Sequence, residues 1–287
     1  MTTRPQPTSK TLTVNGLKLR YLEWGEPAAL PPNGLTIVCV HGYTSSAEAF
    51  NALARRLCDH AHILALDVRG HGDSAWSPEG AYGYSDQAAD LAGFVDALVP
   101  GPFVLIGTSM GGVIAMACAA QHKERLRGLV INDIGPDAEA GGARITAMVG
   151  SRPESFASLE AAMAYRREVS PILAARPLDD QRELALGVLR QRPDGSWGWK
   201  MDPAYIEQRI ARGAPARPAL WPALAALPCP TLVVWGSDSD VLSEAQARRM
   251  VETLPEGELV AVPGVGHAPT LVEPPVLAAL ERLLAAV

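Results

Sequence analysis

The chain has 287 residues, 48% hydrophobic and 20% charged, which is apolar length enough for a full core in one large domain or two small ones and excludes disordered, collagenous and coiled-coil chains. With 25 Lys and Arg against 31 Asp and Glu the formal charge is -6, so there is no net positive field to hold a polyphosphate backbone and nucleic acid is not expected as a partner. Cys39, Cys58, Cys118 and Cys229 occur singly, without a Cys-x-x-Cys pair, which points to a reducing compartment without disulfides or a thiolate metal site. The first ten residues, MTTRPQPTSK, contain no apolar core of a signal peptide, and no stretch approaches the roughly 18 apolar residues of a membrane helix. The expectation is a cytoplasmic protein with no membrane partner.

Behind a polar tail, Thr11 to Val14 and Leu17 to Trp24 are strand-like runs joined by Asn15-Gly16, a dipeptide suited to the positive φ angles of a two-residue hairpin turn. Continuous apolar, β-branched runs follow at Leu35 to Val40, Ile63 to Leu66, Phe103 to Ile106 and Leu129 to Ile131, separated by helical patterns near 47–58, 86–98 and 110–120. Strands without polar alternation, alternating with helices, predict a parallel sheet covered on both faces. After Gly135 the pattern changes. Residues 136–226 offer helical segments broken by many prolines, among them Pro153, Pro171, Pro203 and Pro222, and no buried strand, with Trp197 and Trp199 behind an Asp194-Gly195 turn. Thr231 to Trp235, a helix from about 243 to 253, Glu258 to Val262 and a helix from about 270 to 286 resume the earlier pattern. The expected organisation is therefore a core of 1–135 and 227–287 with a helical cap, 136–226, inserted in it.

Phe103 to Ile106 runs into Gly107-Thr108-Ser109-Met110-Gly111-Gly112 and then a helical pattern, so a Gly-x-Ser-x-Gly element lies at a strand-to-helix junction. In that setting the glycines allow a turn too sharp for side chains, and the turn lifts a serine hydroxyl above the sheet end beside the first amides of the helix. Outside such a setting the same residues make an ordinary loop. A serine hydroxyl is a weak nucleophile, so Ser109 needs a histidine base and a group to orient it.

Of the six histidines, His267 lies in the glycine-rich Pro263-Gly264-Val265-Gly266-His267 loop between the last strand and the last helix, where it can reach the sheet end, and is the candidate base. His41 opens His41-Gly42-Tyr43-Thr44 directly after a strand and is read as structural. What that loop offers chemistry is a backbone N–H: the Tyr43 and Met110 amides are the candidate two-donor oxyanion hole. His71 reads as part of a tight loop held by side-chain hydrogen bonds, and His60, His62 and His122 as residues at element ends. No spacing of histidines and carboxylates resembles a metal site, and no cofactor is expected.

Taken together, His41-Gly42-Tyr43, Asp67-x-Arg69-Gly70-His71-Gly72-x-Ser74, Gly107-x-Ser109-Met110-Gly111-Gly112 and Gly264-x-Gly266-His267, in this order over nearly the whole chain, resemble the α/β-hydrolase superfamily. The resemblance implies an α/β fold with an eight-stranded, mostly parallel sheet and a cap inserted after the sixth strand. Members with aspartate in place of the serine in this strand-to-helix turn, such as epoxide hydrolases and haloalkane dehalogenases, are disfavoured by Ser109. The family places the acid after the seventh strand or, in a minority, after the sixth. The usual position after the seventh falls on Ser239, with Asp238 and Asp240 on either side, whereas the sixth ends on Asn132-Asp133. Asp133 is the reading taken, with Asp240 as the alternative acid and Asp238 behind it.

The expected function is hydrolysis of a small-molecule carboxylic ester through an acyl-enzyme, with lactone, thioester and activated amide open. A cofactor-independent perhydrolase or haloperoxidase, or a carbon–carbon bond hydrolase of ring-cleavage products, would use the same motifs. So would a non-catalytic small-molecule receptor, although such a protein often loses a triad member. Trp197, Trp199, Tyr165 and methionines of the cap are candidate pocket walls. The cap holds 11 arginines and Lys200 against 11 acidic residues, so its arginines read as a solvated, salt-bridged face. The oligomeric state is not readable.

Overall fold

The computed structural model describes residues 5–25 and 34–287. The chain opens with the hairpin of β1 (Thr8–Val14) and β2 (Leu17–Trp24), whose turn residues Asn15 and Gly16 both take positive φ. The first strand begins three residues before the expected Thr11, because residues 8–10 pair with Leu22 to Glu23 and Tyr21 across the hairpin. Then come β3 (Leu35–Val40), a 3-10 turn at Ala47–Phe50 running into α1 (Asn51–Leu57), β4 (Ala61–Leu66), α2 (Tyr84–Leu98), β5 (Phe103–Thr108), α3 (Met110–Ala119) and β6 (Leu126–Asn132).

The chain leaves the sheet here and returns at β10 (Thr231–Gly236), followed by α10 (Glu244–Thr253), β11 (Gly257–Val262) and α11 (Pro274–Ala285). The eight strands lie in the order β1-β2-β4-β3-β5-β6-β10-β11. The two pairings made by β2 are antiparallel and the other five are parallel. Both faces are covered, which is why the central strands carry no polar alternation. On β5, Phe103 and Leu105 point to the side of α2 and α3, where Phe94 and Val113 are buried, while Val104 and Ile106 point to the side of α1 and α11 with Leu53 and Leu280.

Between β6 and β10 lie α4 (Gly141–Gly150), β7 (Ser155–Phe156), α5 (Leu159–Val169), α6 (Pro171–Ala174), α7 (Leu178–Val188), β8 (Leu189–Gln191), β9 (Trp197–Trp199), α8 (Pro203–Arg212) and α9 (Leu220–Ala225). The segment read as helical, without a buried strand, also holds three short, partly exposed strands: β7, β9 and β8 form a small antiparallel sheet with the Asp194-Gly195 turn between β8 and β9. Strands of two or three residues are shorter than any period that sequence patterning can register. The inserted segment has its own small apolar cluster, centred on Phe156, Leu159, Met163 and Leu189. It is tied to the sheet-bearing part through the 67–82 loop: the Asp202 amide donates to Gly70 O at 2.9 Å, Trp76 Nε1 to Lys200 O at 2.9 Å, and the Tyr82 hydroxyl to Asp202. Among the described residues no helix is long and apolar enough to cross a membrane.

The connections from β3 to β4 and from β5 to β6 run in opposite directions across the sheet, so a crevice opens at the carboxyl ends of β3 and β5. The two loops singled out in the sequence, at Gly42 and Ser109, begin at those two strand ends.

Candidate active site

β5 ends at Thr108 and α3 begins at Met110, leaving Ser109 alone in the turn with φ 52° and ψ −120°. A non-glycine residue at positive φ is strained and is held by its surroundings. Here the Ser109 amide donates to Asn132 O at 2.9 Å, and Ser109 O accepts the Gly112 amide at 2.8 Å. The close approach is made possible by glycine: a Cβ on Gly107 would lie 2.4 Å from Gly111 O, and one on Gly111 would lie 2.1 Å from Val40 O.

His267 Nε2 lies 2.8 Å from Ser109 Oγ, and His267 Nδ1 lies 2.8 Å from Asp133 Oδ2. A carboxylate at Nδ1 requires the proton there, which leaves the Nε2 lone pair to accept the serine hydroxyl. Asp133, fully buried, follows β6 with φ 56°, and its other partners are the Gly236 amide on Oδ1 at 3.0 Å and the Ser239 hydroxyl on Oδ2 at 2.7 Å. Ser239, at the position where the resemblance would place an acid, thus donates to Asp133, which arrives from the neighbouring strand. Asp240 and Asp238 are elsewhere. Asp240 is exposed and accepts Arg144 Nη2 at 2.8 Å, a hydrogen bond that holds its carboxyl below the usual range, and Asp238 accepts the Ser237 hydroxyl.

The loop after β3 closes the other side. A Cβ on Gly42 would lie 3.3 Å from Ser109 Cβ, so this backbone rests against the serine. Among the described residues neither the Tyr43 nor the Met110 amide meets a protein acceptor. Two buried histidines brace the loop. His41 Nδ1 lies 2.8 Å from Gly42 O while Val68 N donates to its Nε2, and His71 Nε2 lies 2.7 Å from Tyr43 O. Burial holds His41 down to about 3 and His71 down to about 4, so both are neutral at pH 7. Both therefore have the structural character read from the sequence, and His62 and His122 pair with Glu23 and Asp96 well away from Ser109.

Ser109 and His267 open into a cavity of about 310 Å³ roofed by the inserted segment, including Ile145 and Met148 of α4, Tyr165 of α5, Leu173 of α6 and Trp199 of β9. Tyr165 and Trp199 therefore stand where the sequence suggested, whereas Trp197 is outside the lining. Sequence reading missed that Arg144, Arg152, Arg166 and Arg176 line the cavity: Arg144 keeps the exposed, salt-bridged head expected of it, whereas the other three are half-buried. Helical spacing carried a signal for one of them, since Arg166 follows the buried Ala162 and Met163 of α5 by four and three residues and shares their stripe. Among the described residues no group of His, Cys, Asp or Glu is placed to hold a metal ion, and all four cysteines are unpaired.

The profile of the alpha/beta hydrolase family matches residues 37–280. The chain belongs to this family. It is 34% identical to the 3-hydroxybutyrate-oligomer hydrolase of Cupriavidus necator, over 90% of this chain and 89% of that one. An esterase of Escherichia coli is 27% identical over 82% of this chain and 87% of its own. Among solved structures, an alpha/beta hydrolase from Novosphingobium aromaticivorans superposes with a TM-score of 0.85 at 30% identity, covering 99% of each chain. In this alpha/beta hydrolase Ser109, Asp133 and His267 follow one another along the chain, with Asp133 directly behind β6.

Proposed function

We propose that the protein hydrolyses a carboxylic ester of a small molecule, with Ser109 as nucleophile, His267 as base and acid, Asp133 as the orienting acid and the Tyr43 and Met110 amides as oxyanion donors. The observation that carries this reading is His267 standing 2.8 Å from both Ser109 Oγ and Asp133 Oδ2 at the floor of a cavity. Ser109 Oγ bonds to the acyl carbon as its proton passes to His267 Nε2, and the carbonyl electrons collect on the oxygen facing the two amides. The tetrahedral species collapses by breaking the bond to the alcohol oxygen, which leaves with the proton from Nε2. Water then attacks the acyl-enzyme, giving its proton to Nε2, and the second collapse returns that proton to Ser109 and frees the acid. Ester plus water becomes acid plus alcohol, and nothing else is consumed, so the cycle calls for no cofactor.

An ester is favoured over an amide because its leaving oxygen needs less protonation. The esterase among the relatives points the same way, and the oligomer hydrolase makes 3-hydroxybutyryl esters the first natural candidates. In this reading the segment 136–226 is a cap that sets acyl-chain length.

The test is a panel of p-nitrophenyl esters from acetate to decanoate, together with a fluorophosphonate probe. Wild type is expected to turn over the short esters and to be labelled at Ser109, and Ser109→Ala to lose both, with kcat down by on the order of 10⁵-fold or more. Ester hydrolysis that survives in folded Ser109→Ala overturns the assignment.

A further inference from the structure

The cavity beside Ser109 is lined by four arginines, and no aspartate or glutamate is among its lining residues. Arg144 is matched by Asp240. Among the described residues the other three make no ion pair; Arg176 feels the charges of Asp180 and Glu273 at longer range, whereas Arg152 and Arg166 feel no such carboxylate. Elsewhere in the fold, Arg20 meets Asp67 and Glu48, and Arg69 meets Asp90. Arg166 is the sharpest case. Its Nη1 is sealed from solvent with no hydrogen-bond partner among the described residues, and burial alone lowers its pKa to about 10, which leaves it charged at neutral pH. Arg152 lies with its guanidinium 4.3 Å from the centre of the Trp199 ring, on the cavity wall, and is lowered to about 10 by burial against the opposing influence of Tyr43 and Tyr165. A guanidinium cannot shed its charge readily, and burying one without a counter-charge is costly. A cavity wall with two half-buried guanidiniums, Arg152 and Arg166, and no carboxylate in its lining is a site built to receive an anion from a ligand.

We infer that the cavity takes a substrate that carries a carboxylate in addition to the scissile ester, with Arg166 as the buried anchor of that carboxylate and Arg152 as its second donor. The guanidinium fork matches a planar carboxylate with two parallel hydrogen bonds. Ile145, Met148, Val169 and Leu173 on the same cavity wall leave apolar surface for a short aliphatic chain between carboxylate and ester. The inference rests on the reading of Ser109 as nucleophile, since it makes this cavity the substrate site.

The experiment uses neutral p-nitrophenyl butyrate as the reporter and glutarate as the anionic probe, with dimethyl glutarate as its uncharged counterpart. Glutarate is expected to inhibit competitively and dimethyl glutarate much more weakly. In Arg166→Gln the glutarate inhibition constant should rise on the order of tenfold to a hundredfold, with Arg166→Lys in between because it keeps the charge and loses the fork. Arg152→Gln, whose residue lies outside any helix, gives an independent variant should Arg166→Gln fold poorly by circular dichroism. Glutarate that does not compete at tens of millimolar, that competes no better than its dimethyl ester, or that binds equally well to the folded glutamine variants overturns the inference, as does inorganic phosphate binding more tightly than glutarate. The two readings fail separately. Reporter turnover that persists in Ser109→Ala removes the nucleophile, whereas Ser109-dependent turnover without glutarate competition removes only the carboxylate site.

Discussion

Ser109 and Asp133 are both non-glycine residues at positive φ, and each ends a parallel strand of the sheet. Strain of this kind costs on the order of 1–3 kcal/mol per residue and persists where surrounding contacts over-determine the backbone. Asp133 has such contacts: its amide donates to Val234 O at 2.8 Å, and its carboxylate collects a backbone amide, a hydroxyl and an imidazole. Asp133→Asn is expected to offer Nδ1 a donor or a weaker acceptor and upset the imidazole tautomer, lowering kcat by about 10⁴-fold with little loss of fold. Asp240→Asn, which touches only Arg144 at the surface, should stay within a few-fold of wild type; steady-state kinetics on one short ester compares the two. Ser109 and His267 were legible because motif and element position agree. Choosing among three aspartates was harder, because short-range spacing does not reveal which carboxylate a loop 134 residues away will meet.

At the level of elements, the inserted segment docks through many polar contacts, among them Asn51 and Arg55 to Glu183 and Lys200 to Asp73, and Asp202 concentrates several of them. It caps α8 by accepting the Ala204 amide at 2.9 Å, accepts the buried Tyr82 hydroxyl and donates its own amide to Gly70. Asp202→Ala removes the cap and leaves the Tyr82 hydroxyl without its acceptor. The expected loss is about 2–4 kcal/mol in urea unfolding, the sum of a lost N-cap and an unsatisfied buried hydroxyl. A loss below about 0.5 kcal/mol would mean that water replaces the carboxylate there. The helices of the sheet-bearing part were readable within a few residues, since they pack apolar residues against a large sheet, α3 being buried on nearly every side. Those of the insertion were blurred by prolines, and its three short strands gave no period to read.

For the molecule as a whole, stability should fall on acidification. His41 and His71 stay neutral when folded, down to about 3 and 4, but take up protons near 6.5 when unfolded. The unfolded state therefore binds more protons below pH 6.5, and each histidine contributes stability that is complete above that pH and lost towards pH 4, with a slope approaching about 1.4 kcal/mol per pH unit. Asp67, fully buried and pushed up to about 6 by burial, works in the opposite sense between about 4 and 6 and offsets one of the two. Urea midpoints measured from pH 7 to 4.5 should decline, and His71→Asn should flatten the decline; an unchanged slope would remove His71 as its source. By itself the sequence determined the layered α/β architecture, the place where the chain leaves the sheet, and the strand-end loops that hold Ser109 and His267, because those features are written in local periodicity and in glycines that only a sharp turn needs. Which aspartate faces His267, and that Arg152, Arg166 and Arg176 line the cavity without an ion pair among the described residues, was decided only by tertiary structure. An arginine on a helix has the same local pattern whether its head meets water or a cavity, and only the packing of the insertion over the sheet end separates the two.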